Sequence, residues 1–362
     1  MRLYVLALFC LQLPAIPTQA QWDLQDSHTT ANLRGIVNVG GGVAWASGTN
    51  GTVLRTEDGG YLWQICTTPA GAEHLDFRGI QAFDANTSIV MSTGKGDLSR
   101  LYKTTDGCHS WKLIFKNPDK DGFWDAVQFA DEKIGWLLGD PTHGQFQVWE
   151  TNNGGKTWIR EAKSKALAAD PKTSGAFAAS NSSLTVSTSP EFGSGGVGGP
   201  NVYAIDQVTV CLDDCNEPPR DHWRKIKVPI AGGSESAGIF SLASGSVSFR
   251  LAVGGDYTKP DESTATAAFS ADGGEHWTAA QTPPHGYRSA VAYEPSTKTW
   301  ITVGPNGTDI SADDGRNWRP LHPNAALHET PDADRNWNAL SLPYAVGPHG
   351  RIGKLRNDAL KP

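Results

Sequence analysis

Thr56-Glu57-Asp58-Gly59-Gly60-Tyr61-Leu62-Trp63 is the stretch whose reading decides the fold of this 362-residue chain. Its skeleton is Thr or Ser, any residue, Asp or Asn, any residue, Gly, two variable residues, then Trp. Residues 151–158, 270–277 and 311–318 repeat it in full, and residues 104–111 repeat it with Cys108 where Gly is expected. A looser copy runs from Asp213 and Asp214 to Trp223, stretched by an insert. A phrase recurring every few dozen residues marks one supersecondary unit used repeatedly. Its chemistry is that of a tight turn between strands. The Asp or Asn oxygen accepts backbone N–H groups just ahead, the Gly supplies positive φ, and the Trp fills the gap between neighbouring units. Asp58, Asp106, Asn153, Asp272 and Asp313 are therefore expected to be turn-formers, not catalytic acids.

The Trp residues of the phrase stand at 63, 111, 158, 223, 277 and 318, with steps from 41 (277 to 318) to 65 (158 to 223). Such steps match a four-stranded blade of a closed β array. Within one unit the strand pattern is explicit: residues 77–83, 88–92, 99–103 and 111–115 are short, β-prone and separated by turns. Entries to innermost strands recur in the same register. They are Leu33-Arg34-Gly35-Ile36, Phe77-Arg78-Gly79-Ile80, Trp124-Asp125-Ala126-Val127, the weaker 175–179, Ala237-Gly238-Ile239-Phe240, Tyr287-Arg288-Ser289-Ala290 and Trp337-Asn338-Ala339-Leu340. The last unit has three strands, ending at residues 351–355. Residues 21–25, with Trp22 as the plug, are expected to supply its fourth and to remove two exposed edges. The expected fold is all-β: a seven-bladed β-propeller of four-stranded blades, its ring closed by the N-terminal strand.

A net charge of −7 argues against non-specific binding to nucleic acid or anionic membrane. Forty Gly and thirteen Trp fit many turns and many inter-blade plugs. Arg2, the apolar residues 3–14 and Thr18-Gln19-Ala20 read as an export signal too short to span a bilayer. The expected organisation is a signal peptide at 1–20, one propeller at 21–357 and a tail at 358–362, in an exported protein, periplasmic or secreted, with no membrane span. Removal of the signal, and Cys10 with it, leaves Cys66, Cys108, Cys211 and Cys215. Two disulfides are expected, Cys211 with Cys215 and Cys66 with Cys108, the alternative being four separate buried thiols. The cysteine spacing is not that of a zinc hairpin, and no metal or cofactor is expected. The Gly-rich residues 193–199 lack a following Lys-Ser or Lys-Thr and read as a flexible loop rather than a phosphate cradle. Asn50, Asn86, Asn181 and Asn306 fit the glycosylation pattern, which Asn-Gly hairpins also produce by chance.

On these repeats the chain resembles the Asp-box, or BNR, propellers, which include sialidases, sortilin-type receptors and the photosystem II stability/assembly factor-like family. The Thr-x-Asp-Gly-Gly-x-x-Trp copies and the Leu-Arg-Gly-Ile and Phe-Arg-Gly-Ile entries are most similar to the last. The resemblance implies that Asp-boxes lie on one face and that the strand-entry loops form the opposite, working face. There Arg34, Arg78 and Arg288 occupy equivalent positions, with Asp125 and Asn338 at two matching ones. Converging guanidinium groups can hold a carboxylate bidentately. Pairing of each arginine with a carboxylate such as Asp76, Asp125 or Asp256 is the bland alternative.

The family likeness implies a non-enzymatic scaffold that binds a protein or peptide partner, an acidic segment or a C-terminus, as a monomer. No sialidase Arg-Ile-Pro segment or Tyr–Glu pair is present. The second expectation is an exported glycoside hydrolase acting on a glycan through Asp140, Asp256, Asp261 and Glu262 on loops of the same face. The repeat itself serves enzymes and binding proteins alike.

Overall fold

The computed structural model describes residues 21–187, 189–205, 223–323, 325, 329–356 and 359–360. The expected signal peptide with Cys10, the expected Cys211–Cys215 disulfide, and Asp213 and Asp214 of the loose repeat all lie outside them. Among the described residues the strands form seven sheets, each of four antiparallel strands. The first is typical: Leu33–Gly40, Val43–Gly48, Val53–Thr56 and Gln64–Ile65 follow one another outward as a meander. The seventh takes Ala339–Ser341, Tyr344–Val346 and Ile352–Leu355 from the end of the chain and Trp22–Gln25 from its beginning. Trp22 lies opposite Leu355 in that pairing, so the ring closes on the N-terminal strand as the sequence predicts.

What holds the ring is apolar packing between neighbouring blades. Leu33, Leu54 and Trp63 of the first blade pack on Tyr344, Val346 and Ile352 of the seventh. Trp45 and Val53 meet Phe77, Val90 and Tyr102 of the second. Further clusters of the same kind fill the remaining five interfaces. At about 25 cal/mol per Å² of apolar surface, such burial is the dominant stabilising term.

The signature turns are alike in detail. In the first, the Thr56 hydroxyl donates to Asp58 Oδ1 at 2.8 Å, that oxygen accepts the Leu62 N–H at 3.0 Å, and the Gly60 N–H donates back to Thr56 Oγ1 at 3.0 Å. Asp106, Asn153, Asp272 and Asp313 make the same set. Cys108, standing for the Gly, adopts φ +65°, the left-handed region. It is joined to Cys66, their Cα atoms 5.4 Å apart, linking the first two blades.

Two expectations need correction. The innermost strand of the fourth blade is Leu184–Thr185, not residues 175–179. Residues 176–182 instead cross the central channel, which follows from their partners on non-adjacent blades. Arg78 donates to the Ala178 carbonyl at 3.2 Å, Ser180 Oγ to the Ser289 carbonyl at 2.8 Å, and Ser182 Oγ lies 2.7 Å from Ser241 Oγ. Asn181 bonds Ile80 and Val127. Nor is the Gly-rich segment a free loop. Gly195 bridges to both Gly175 and Gly238, and a Cβ there would come within 2.4 Å of the Ala237 carbonyl and 2.6 Å of Phe177. Its glycines allow three backbone segments to meet.

Candidate functional site

A bulge recurs at one position of four innermost strands. Pairing register shifts between Leu33 and Gly35, Phe77 and Gly79, Trp124 and Ala126, and Ile239 and Ser241. The residue passed over is Arg34, Arg78, Asp125 or Phe240. A bulge bends its strand and re-aims the side chain it carries. All four side chains line one cavity of about 500 Å³ at the mouth of the channel. Asn338, Asp140, Glu235, Tyr257 and Tyr287 join them, and residues 176–179 form its floor.

One wall is cationic. Arg78 donates to Asp76 Oδ2 at 2.7 Å as well as to the Ala178 carbonyl. Arg34 has no ion pair among the described residues, and its buried Nε has no hydrogen-bond partner there. Burial lowers the pKa of Arg34, and the neighbouring Arg78 charge lowers it further. Two guanidinium groups crowded in this way favour any anion that enters.

The opposite character is close by. Asp125 is 1% exposed, and its Oδ2 lacks a partner among the described residues. Burial raises its pKa well above the usual carboxylate range, the Asp140 carboxylate adds to this, and Arg78 opposes it. Asp140 accepts the Ala176 N–H at 2.9 Å, yet burial pushes its pKa up to about 6. An aromatic wall completes the cavity. Phe177 stacks on Phe240 with ring centroids 3.8 Å apart, and Tyr287 meets Phe240 edge-on at 4.7 Å. Tyr257, 53% exposed, stands at the rim.

Arg288 does not join the other arginines. Its guanidinium is 0% exposed and clamped on Asp309, with Nε donating to Oδ2 at 2.8 Å and Nη2 to the same oxygen. Nη1 donates to the Tyr287 carbonyl at 2.7 Å and to Asn306 Oδ1 at 2.5 Å. The blade has an internal counter-ion on its third strand, Gly307–Ser311, and the arginine turns to it. Asn338 lines the cavity while its Nδ2 donates to Asn32 Oδ1 and the Leu33 carbonyl, both at 2.7 Å, tying the seventh blade to the first.

Of the four loop carboxylates, only Asp140 lines the cavity. Burial works against ionisation of Asp256, but hydrogen bonds from Thr258, Ser236 and Ser234 bring its pKa down to about 2. Asp261 accepts from Asn306 Nδ2 at 3.1 Å, and Glu262 accepts the Thr264 N–H at 3.1 Å and hydroxyl at 2.6 Å. These three serve the loops that bear them. Among the described residues no group of three His, Cys, Asp or Glu side chains is placed to hold a metal ion. Asn181, one of the glycosylation-pattern asparagines, is buried with its amide fully engaged.

Sequence reading passed over Phe177, Glu235, Phe240, Tyr257 and Tyr287. Phe240 had a signal: Ile239-Phe240-Ser241-Leu242 repeats the apolar, variable, small, apolar order of Leu33-Arg34-Gly35-Ile36, and a search for charged residues alone misses it.

Neither a family model nor a curated protein matches the sequence. Solved structures do. "YCF48 bound to D1 peptide" aligns with a TM-score of 0.62 at 18% identity, covering 96% of this chain and 100% of that one. YCF48 from Cyanidioschyzon merolae aligns with a TM-score of 0.62 at 16% identity, covering 94% of this chain and 100% of its own. A GH74 xyloglucanase from Xanthomonas campestris reaches only 0.37 at 14% identity, over 81% of this chain and 50% of its own, a likeness too slight to bear on function. In fold, the chain is a seven-bladed β-propeller with Asp-box turns, similar to YCF48.

Proposed function

We propose that the chain is an exported, non-catalytic binding scaffold that captures the carboxylate-bearing end of a polypeptide in the cavity at the channel mouth. The observation that carries this is the Arg34–Arg78 pair. One guanidinium makes no ion pair among the described residues, the other is held by Asp76 and Ala178, and both face a cavity large enough for a few residues of chain. A carboxylate entering there forms charge-assisted hydrogen bonds and relieves the repulsion between the two cations. A peptide complex of the structurally similar YCF48 supports the class of ligand. The signal-like residues 1–20 and the Cys66–Cys108 disulfide support export.

The test is a crosslinking pull-down from the native compartment with the unaltered chain and with Arg34→Ala/Arg78→Ala. The double variant should fold and lose its partner; equal capture by both would sink the proposal. Glycan cleavage has one observation in its favour, the buried Asp125 and Asp140 carboxylates with raised pKa values. A chromogenic glycoside screen decides it. Turnover that disappears in Asp140→Asn would replace the scaffold reading with a hydrolase.

A further inference from the structure

We infer that the cavity selects a chain end whose last residue is basic, with the terminal carboxylate on Arg34 and Arg78 and the side-chain cation on Asp125 and Asp140. This rests on the carboxylate-binding reading above and narrows its ligand. The cationic wall alone would accept any anion. The carboxyl groups beside it narrow that choice.

Asp125 is the buried group that points to a ligand. It lines the cavity, is almost wholly removed from solvent, and leaves Oδ2 without a hydrogen-bond partner among the described residues. Neither Asp125 nor Asp140 takes part in an ion pair among those residues, although Arg78 is near enough to act on Asp125. Retaining a buried carboxylate with no counter-charge is costly. A cation supplied by the ligand would complete the site. Glu235 at the rim adds a third carboxylate on the same cavity.

The spacing of the two walls narrows the ligand further. Arg78 is fixed to the Ala178 carbonyl and Asp140 to the Ala176 N–H. Three residues of chain, 176 to 178, join these two anchor atoms, a reach of up to about 10 Å. A separation within that reach admits the four-carbon stem of lysine, or the similar one of arginine. Phe177 sits between the anchors, lines the cavity and is stacked on Phe240, an apolar floor along which an aliphatic stem can lie. An acidic last residue would instead bring a further carboxyl against Asp125 and Asp140 and supply no counter-charge.

The test is calorimetric titration of the full chain with Nα-acetyl-lysine, Nα-acetyl-norleucine, Nα-acetyl-lysine amide and Nα-acetyl-glutamate. The expected result is that acetyl-lysine binds at least tenfold tighter than acetyl-norleucine and than its own amide, with acetyl-glutamate weakest. In Asp140→Asn the lysine-to-norleucine ratio should fall to near one. Equal binding of lysine and norleucine, or preference for glutamate, with the amide still weak, overturns the basic end but leaves the carboxylate reading standing. Amide binding equal to the acid overturns both, as does absence of binding by every probe at millimolar concentration. The series on the unaltered chain decides the matter even if the variant does not fold.

Discussion

Asn181 holds the backbone of Val127 with both ends of its side-chain amide. The Val127 N–H donates to Oδ1 at 2.8 Å, and Nδ2 donates to the Val127 carbonyl at 2.9 Å. Nδ2 also reaches the Ile80 carbonyl at 3.2 Å, so one side chain pins the channel-crossing segment to two blades. Its φ of +66° is a conformation that asparagine tolerates better than most residues.

Asn181→Gly should therefore cost about 2–4 kcal/mol, because it keeps the backbone conformation but strands buried groups on two innermost strands. Asn181→Ala should cost more, since it adds backbone strain. Because the segment is also the floor of the cavity, ligand affinity should fall in both. Urea unfolding together with peptide titration checks this. A variant as stable as the unaltered chain would show that the segment does not brace the channel.

The three arginines of the strand entries should behave in two ways. Arg288→Ala leaves the buried Asp309 with His285, 2.8 Å from Oδ1, as its remaining charged or polar side-chain partner among the described residues; loss of one partner of a buried pair costs about 3–5 kcal/mol. Arg34→Met removes a guanidinium that has no ion pair among the described residues and stands beside Arg78. Stability should be unchanged or should rise, while carboxylate binding is lost. Thermal melts of both variants and calorimetry on the second separate the roles; a strongly destabilised Arg34→Met would make Arg34 structural.

The difference between these arginines was not legible in the sequence. Their sequence contexts match, yet Arg34 and Arg78 lie within their strands and line the cavity with Asp125 and Asn338, whereas Arg288 precedes the strand Ala290–Glu294. Asp309 lies on another strand of its own blade, and nothing in Tyr287-Arg288-Ser289 signals it. The ring was legible because each of its parts is local: the turn phrase, the strand lengths and the Trp22 plug. The crossing segment was not, because its bonds run to Ile80 and Ser289, 101 and 109 residues away. The small residues of 175–179 are compatible with a strand, and nothing local marks them as a crossing.

Asp140 makes stability depend on pH. Its carboxyl is raised from 3.8 to about 6 in the folded chain by burial, so the folded state holds this proton more tightly than the unfolded one. The group's contribution is full below about pH 4 and is lost as pH rises through 6. Asp140→Asn keeps an acceptor for the Ala176 N–H and removes the charge. It should be more stable than the unaltered chain at pH 8 and converge with it near pH 4. Urea melts at the two pH values test this, and greater stability of the unaltered chain at pH 8 would reverse the assignment.

The disulfide should matter most to the edge of the ring where the repeat departs from its own pattern. Cys66 follows the outermost strand of the first blade, and Cys108 sits inside the second blade's signature turn, 42 residues on. Closing a loop of that length restricts the unfolded chain by about 3–4 kcal/mol in the chain-entropy account. Cys66→Ser/Cys108→Gly removes the bond while restoring glycine at the left-handed position, φ +65°. Cys66→Ser/Cys108→Ser removes the bond and keeps the strain. Both should melt below the oxidised chain, the serine variant lower by a further ~1 kcal/mol. Peptide binding should be retained in both, because the bond lies among the turns and not on the cavity. A glycine variant as stable as the oxidised chain would mean that the cysteine serves the turn alone; loss of binding would mean that the ring's geometry depends on the bond.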